Sequence, residues 1–151
     1  MRGACVLIDG RSGSGKTELA RAMVTDWKGA QLVRLDDLYP GWDGLATGSA
    51  AVPTILSTHH WRAWDWATNR PGDRHELDPT RPIVVEGVGA ISVASVPFAD
   101  YAIWVELDPE TRKVRALDRD GDAYAPYWDR WAAQEVDFIE RENPQALADE
   151  V

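Results

Sequence analysis

The eight residues Gly10-Arg11-Ser12-Gly13-Ser14-Gly15-Lys16-Thr17 constrain this chain more than any other stretch, because they satisfy G-x-x-x-x-G-K-[ST] at every position. Ahead of them, Ala4 to Ile8 is a continuous apolar run, the mark of a strand buried on both faces. Behind them, Leu19, Ala20, Met23, Val24 and Trp27 lie along one helical stripe, which predicts a helix over Lys16 to Trp27. A strand, a glycine-rich loop and a helix in that order form a cradle for phosphate. Glycines let the backbone curl so that successive N–H groups point inward, and the helix N-terminus adds its positive dipole end. The expected phosphate contacts are Gly10, Ser12, Gly13, Ser14, Gly15, Lys16 and Thr17. Lys16 reaches the terminal phosphates, and the Thr17 hydroxyl is a hard donor suited to Mg²⁺. By average residue frequencies the pattern arises by chance in well under about 1% of chains this long, so a plain linking turn is set aside.

The remaining periodicity alternates strands with helices. Gln31 to Leu35 predicts a second strand, left through the loop Asp36 to Trp42, where Pro40 and Gly41 forbid continuation. Pro82 to Gly87 and Tyr101 to Leu107 predict two more, with a short helix and turn over Ala90 to Phe98 between them. Asp108-Pro109 opens a helix to about Asp120, ended by Gly121-Asp122. A last helix, about Pro126 to Glu142, carries Trp128, Trp131, Ala132, Phe138 and Ile139 on its apolar face and stops at Asn143-Pro144. From Ala46 to Asp78 the pattern is weakest: Pro53 interrupts a helix, Trp61 to Trp66 is an aromatic cluster, and Arg70-Pro71-Gly72-Asp73 reads as a turn. Alternation of this kind implies a parallel sheet covered on both faces, hence a three-layer α/β/α architecture.

Length and charge narrow the functions. With 151 residues the chain is one domain, 1–151, and its 44% hydrophobic content supports a core without disulfides or structural metal. Sixteen Lys+Arg against 25 Asp+Glu give a net charge of −9, which argues against nucleic-acid binding by general phosphate neutralisation. An anionic ligand must be met locally. Residues 134–151 hold six acids and one arginine, read as a solvated face. Cys5 has no disulfide partner, and His59 and His60, which are adjacent, and His75, which is alone, lack zinc spacing; Cys5, His59 and His60 are read as structural. With no export signal and no run of 18 apolar residues, the expected setting is reducing and cytoplasmic, with no membrane partner.

The glycine-rich loop occurs together with Asp36-Asp37-Leu38-Tyr39, Glu86-Gly87 and Arg112-x-x-Arg115-x-x-x-Arg119-Asp120. In that order, over about residues 4–120, these motifs resemble the uridine kinase and nucleoside kinase branch of the P-loop kinases. The resemblance implies a P-loop NTPase fold with four to five parallel strands in the order 2-3-1-4. It implies ATP and Mg²⁺ as cofactors, a small-molecule acceptor such as a nucleoside, and transfer of the γ-phosphoryl group to its hydroxyl, by a monomer or homodimer. Asp36 matches the carboxylate beside that hydroxyl, with Asp37 as its alternate, and either could instead cap a turn. Tyr39 is a substrate contact or a loop anchor. Glu86 links Mg²⁺ with Thr17, or is an ordinary strand-end acid. Arg112, Arg115 and Arg119 share one helical face. In the family such a face belongs to a lid, here about 109–125, with Arg115 and Arg119 acting on the transferred phosphoryl and Arg112 on the nucleotide. The alternative is a solvated face paired with Asp108, Glu110 and Asp118. Trp64 and Asp65, with Trp61, Arg62 and Trp66, form a substrate wall or fill core. Two departures stand out: Ala116 replaces the second lid arginine, and Ala146 to Val151 stands where a fifth strand begins. The competing reading is an ATP-binding regulatory or scaffold protein without a small acceptor.

Overall fold

The computed structural model describes residues 2–151. Four strands form a parallel sheet: β1 (Cys5–Asp9), β2 (Gln31–Arg34), β5 (Ile83–Glu86) and β6 (Tyr101–Trp104). Their spatial order is β2-β5-β1-β6. This is the expected 2-3-1-4 once an added hairpin, β3 (His60–Asp65) and β4 (Arg70–Glu76), takes its numbers. The helices are α1 (Lys16–Asp26), α2 (Leu45–Thr58), α3 (Pro109–Asp120), α4 (Trp128–Glu142) and the short α5 (Pro144–Leu147). Beyond α5 the chain runs beside β6 with a single parallel bridge, Ile103 to Glu150, in place of a full fifth strand.

Side chains alternate across the sheet, and each face has its own core. Val6, Ile8 and Val84 pack under Ala20, Met23 and Val24 of α1. Cys5, Leu7, Val33 and Val85 face the other way, against Val52 and Ile55 of α2 and Trp131 and Phe138 of α4. Burial on this side pushes the Cys5 thiol up to about 12, so it stays protonated and inert. The two cores account for the continuous apolarity of the strands and establish the three layers.

Three local expectations change. Helix α2 runs through Pro53, because Val52, Ile55 and Leu56 are buried in the larger core. Their burial offsets the roughly 3 kcal/mol cost of an interior proline. Arg70-Pro71-Gly72-Asp73 lies within β4 rather than in a turn. The reversal comes earlier, where Asp65 Oδ1 accepts from the N–H of Ala67 at 3.0 Å and Thr68 at 3.3 Å, and Asn69 adopts φ 56°. Pro71 is tolerated because it pairs across from Trp64 in a two-stranded ribbon whose outer edge needs no donor. Ala90 to Phe98 forms only a 3₁₀ turn at Val96–Phe98, with Ser92 and Ser95 each accepting the other's N–H.

Candidate active site

Strand register brings the chemistry together at the carboxyl ends of the sheet. Ile8 aligns with Glu86, and Arg34 aligns with Glu86 from the other side, so Asp9, Glu86 and Arg34 end neighbouring strands at one level. This is where open parallel sheets bind ligands. The loop from Gly10 emerges there. Gly13 has φ 80°, and a Cβ on it would stand 2.1 Å from the Arg112 carbonyl oxygen, so no other residue fits. Helix α1 begins after Gly15 without any side-chain cap, which leaves its first N–H groups open to an anion. The Ser14 hydroxyl is buried with no hydrogen-bond partner among the described residues. Lys16 is buried, its ammonium 3.4 Å from the Arg11 carbonyl. An orphaned hydroxyl, uncapped helical N–H groups and a buried cation fit the terminal phosphates of a nucleotide.

A divalent cation also fits. Thr17 Oγ1 donates to Glu86 Oε1 at 3.2 Å, and Arg34 Nε donates to the same oxygen at 3.2 Å. Burial pushes the Glu86 carboxyl above its ordinary range, with Lys16 pulling it back. Among the described residues no three His, Cys, Asp or Glu side chains converge on a metal site. The Thr17 hydroxyl and the Glu86 carboxylate are hard oxygen donors of the kind that hold Mg²⁺ together with substrate phosphates.

Beside the loop opens a cleft of about 590 Å³. Lys16, Arg34, Asp36, Arg119 and Asp120 supply its charge, and Tyr39, Trp42, Trp66, Tyr124 and Trp131 its aromatic walls. Trp42 is the hub of these rings, with centroids 5.1 Å from Trp66, 5.2 Å from Tyr124 and 4.6 Å from Tyr127. Asp36 is held at the rim: its carboxylate pairs with Arg34 at 3.6 Å, and its backbone carbonyl accepts from Trp66 Nε1 at 2.8 Å. Asp37 lies outside the cleft lining. Tyr39 combines its two readings, since its hydroxyl donates to the Val88 carbonyl at 2.5 Å as an anchor while its ring faces the cleft. It also packs so closely on Gly48 that a Cβ there would meet its ring at 2.4 Å.

The three arginines separate. Arg115 lies over Gly15, 3.4 Å from where a Cβ would be, and pairs with Glu18 at 3.5 Å. Arg119 lines both the large cleft and a smaller hollow of about 100 Å³ formed with Gly13, Lys16 and Thr17. Arg112, expected at the nucleotide, instead turns inward and is buried; it donates to the carbonyls of Leu107 at 3.1 Å and Ser12 at 3.4 Å, bracing the loop from behind. Two further corrections concern the aromatic cluster: Trp64 and Asp65 stay in the hairpin away from the cleft, and Trp66 is the residue that reaches it. Trp66 lies beyond the end of β3, in the turn, where its indole N–H reaches back to the Asp36 carbonyl while Asp65 caps the turn.

Sequence reasoning missed Asp9, Arg34 and Glu135. Asp9 is fully buried and accepts from the N–H of Gly10 (2.7 Å), Gly89 (3.2 Å) and Ile91 (2.9 Å), tying the loop to the segment behind Val88. Burial raises its carboxyl to about 7. An aspartate closing an otherwise apolar strand immediately before the loop was the available signal. Glu135 belongs to the acidic stretch read as solvated, yet it is 1% exposed and contacts the loop.

No protein-family model matches the chain, and no curated protein matches it in sequence. Its three-dimensional structure is similar to solved structures described as kinases. A structure described as a possible uridine kinase from Bacillus stearothermophilus superposes with a TM-score of 0.64 at 20% identity, covering 100% of this chain and 89% of that one. A gluconokinase from Sinorhizobium meliloti 1021 gives 0.54 at 16% identity, covering 91% and 74%. The fold is that of the P-loop small-molecule kinases.

Proposed function

We propose that this protein is an ATP- and Mg²⁺-dependent phosphotransferase that moves the γ-phosphoryl group to a hydroxyl of a small, ring-bearing metabolite, a nucleoside being the leading class. The observation that carries the reading is that Lys16 and Asp36 face one cleft, sized for a small molecule and walled by aromatic rings. A regulatory surface has no need of such an enclosure.

In this reading the loop N–H groups and Lys16 hold the β- and γ-phosphates, and Thr17 with Glu86 supplies the cation site. Bound Mg²⁺ neutralises charge on the phosphate oxygens. The acceptor ring packs against the wall made by Trp42 and Trp66, which presents its hydroxyl to Asp36. Asp36 orients that hydroxyl and takes its proton as the oxygen bonds to the γ-phosphorus and ADP departs. Arg115 and Arg119, on the segment over the loop mouth, offset charge that develops during transfer. Arg34 keeps the Asp36 carboxylate aimed into the cleft. The test is a screen of nucleosides, sugars and vitamin precursors for acceptor-stimulated ADP release. ATP binding without stimulation by any class would favour the regulatory alternative.

A further inference from the structure

The last third of the chain converges on a single residue of the glycine-rich loop. The Ser12 N–H donates to Glu135 Oε2 at 2.8 Å, its hydroxyl oxygen accepts from the Tyr124 hydroxyl at 2.9 Å, and its carbonyl accepts from Arg112 at 3.4 Å. The other Glu135 oxygen, Oε1, accepts from Arg11 Nε at 3.0 Å. Ser12, Arg112, Tyr124 and Glu135 are all buried. Both Glu135 oxygens are therefore spent on two consecutive loop residues more than 120 positions away.

Position 135 is one where α4 has no packing reason to carry a carboxylate. Trp131, Glu135 and Phe138 are its buried residues, at i, i+4 and i+7, so Glu135 occupies the middle of the apolar stripe. An aliphatic side chain there would pack without any desolvation cost, whereas a buried carboxylate persists only when its partners are made in full. Those partners are the guanidinium of Arg11 and the N–H of the peptide that joins Arg11 to Ser12. The Arg11–Ser12 peptide gives its N–H to Glu135, and its carbonyl accepts from the Ser14 N–H at 3.1 Å and from Lys16 Nζ at 3.4 Å. The orientation of that plane sets both the curl of the loop into Ser14 and the resting contact of Lys16.

We propose that Glu135 is a positioning residue for the nucleotide: through the Arg11–Ser12 peptide it holds the glycine-rich loop in its anion-binding shape. The inference rests on the loop being the nucleotide site. Helix α4 thus carries, one turn apart on one face, a wall of the acceptor cleft at Trp131 and the clasp of the phosphate loop at Glu135.

The experiment measures MgADP affinity by calorimetry, with thermal unfolding on the same samples, for wild type, Glu135→Ala, Glu135→Gln, Tyr124→Phe and the exposed control Val136→Ala. Glu135→Ala should weaken MgADP by about tenfold, the affinity equivalent of one buried hydrogen bond left unmade. Glu135→Gln keeps the shape and one acceptor oxygen and should weaken it less, and Val136→Ala should leave it unchanged. Adding Arg11→Gln to Glu135→Gln should cost little more, because both act through one contact. If Glu135→Ala does not fold, Glu135→Gln and Tyr124→Phe carry the test, each expected to weaken MgADP measurably. Folded Glu135 variants that lose thermal stability but bind MgADP within twofold of wild type would make Glu135 a plain structural brace and overturn the proposal. Absence of MgADP binding by wild type would instead overturn the nucleotide reading itself.

Discussion

Replacing Lys16 separates ligand binding from folding with opposite signs. The residue is 7% exposed, and its ammonium has the Arg11 carbonyl at 3.4 Å and forms no ion pair among the described residues. One long hydrogen bond and the attraction of Glu86 at most balance the desolvation of a buried cation, so the unliganded fold gains little from it. Lys16→Ala, or the longer Lys16→Met, should therefore leave apo stability unchanged or raise it. With MgADP at about 100 times its dissociation constant, wild type should gain roughly 2.7 kcal/mol. For a chain of this length that corresponds to about 5 to 11 °C in Tm. The variants should keep less than half of that shift. Differential scanning fluorimetry with and without MgADP reads both quantities on one plate. Equal shifts in wild type and variants would refute the placement of Lys16 at the phosphates. A fall in apo Tm matching the loss of response would make Lys16 a structural residue.

Other substitutions address the remaining chemistry. Asp36→Asn should lower acceptor-dependent turnover by about 10²- to 10⁴-fold while changing stability by less than about 1 kcal/mol, since its pair with Arg34 is long, at 3.6 Å, and the Asp36 side chain is exposed; unchanged turnover would move the base elsewhere. Arg119→Ala should reduce kcat more than ATP affinity, because its contribution grows with charge developing in transfer, and an affinity loss alone would argue for ground-state binding instead. Asp9, held near 7 against an ordinary 3.8 by burial, adds stability that is full below about pH 4 and is lost as pH rises through 7. Urea unfolding from pH 4 to 8 should show this decline in wild type and not in Asp9→Asn. The variant should also be less stable throughout, because its NH₂ group faces backbone donors; parallel pH profiles would contradict the assignment.

The sequence alone determined the strand–loop–helix unit and the remaining sheet strands, with Glu86 at the end of one of them. All of these rest on neighbours within a few residues: an apolar run, a glycine spacing, a proline after a cap. The hairpin escaped because Pro71-Gly72 imitates a turn when read locally, while the actual reversal depends on Asp65 reaching two N–H groups and on Asn69 taking a left-handed conformation. Pro53 similarly marks a helix break by itself and is overridden by the core beneath α2. Charged residues were the least legible. Arg112, Arg115 and Arg119 share one face of α3, but only packing sends Arg112 inward to Ser12 and leaves Arg119 on the cleft. Glu135 looks like any acid in an acidic stretch until the loop, more than 120 residues earlier, is set against it. A local pattern encodes backbone preference and apolar periodicity; what a buried charge does depends on the groups within about 3 Å of it, and those are assembled only when distant parts of the chain pack together.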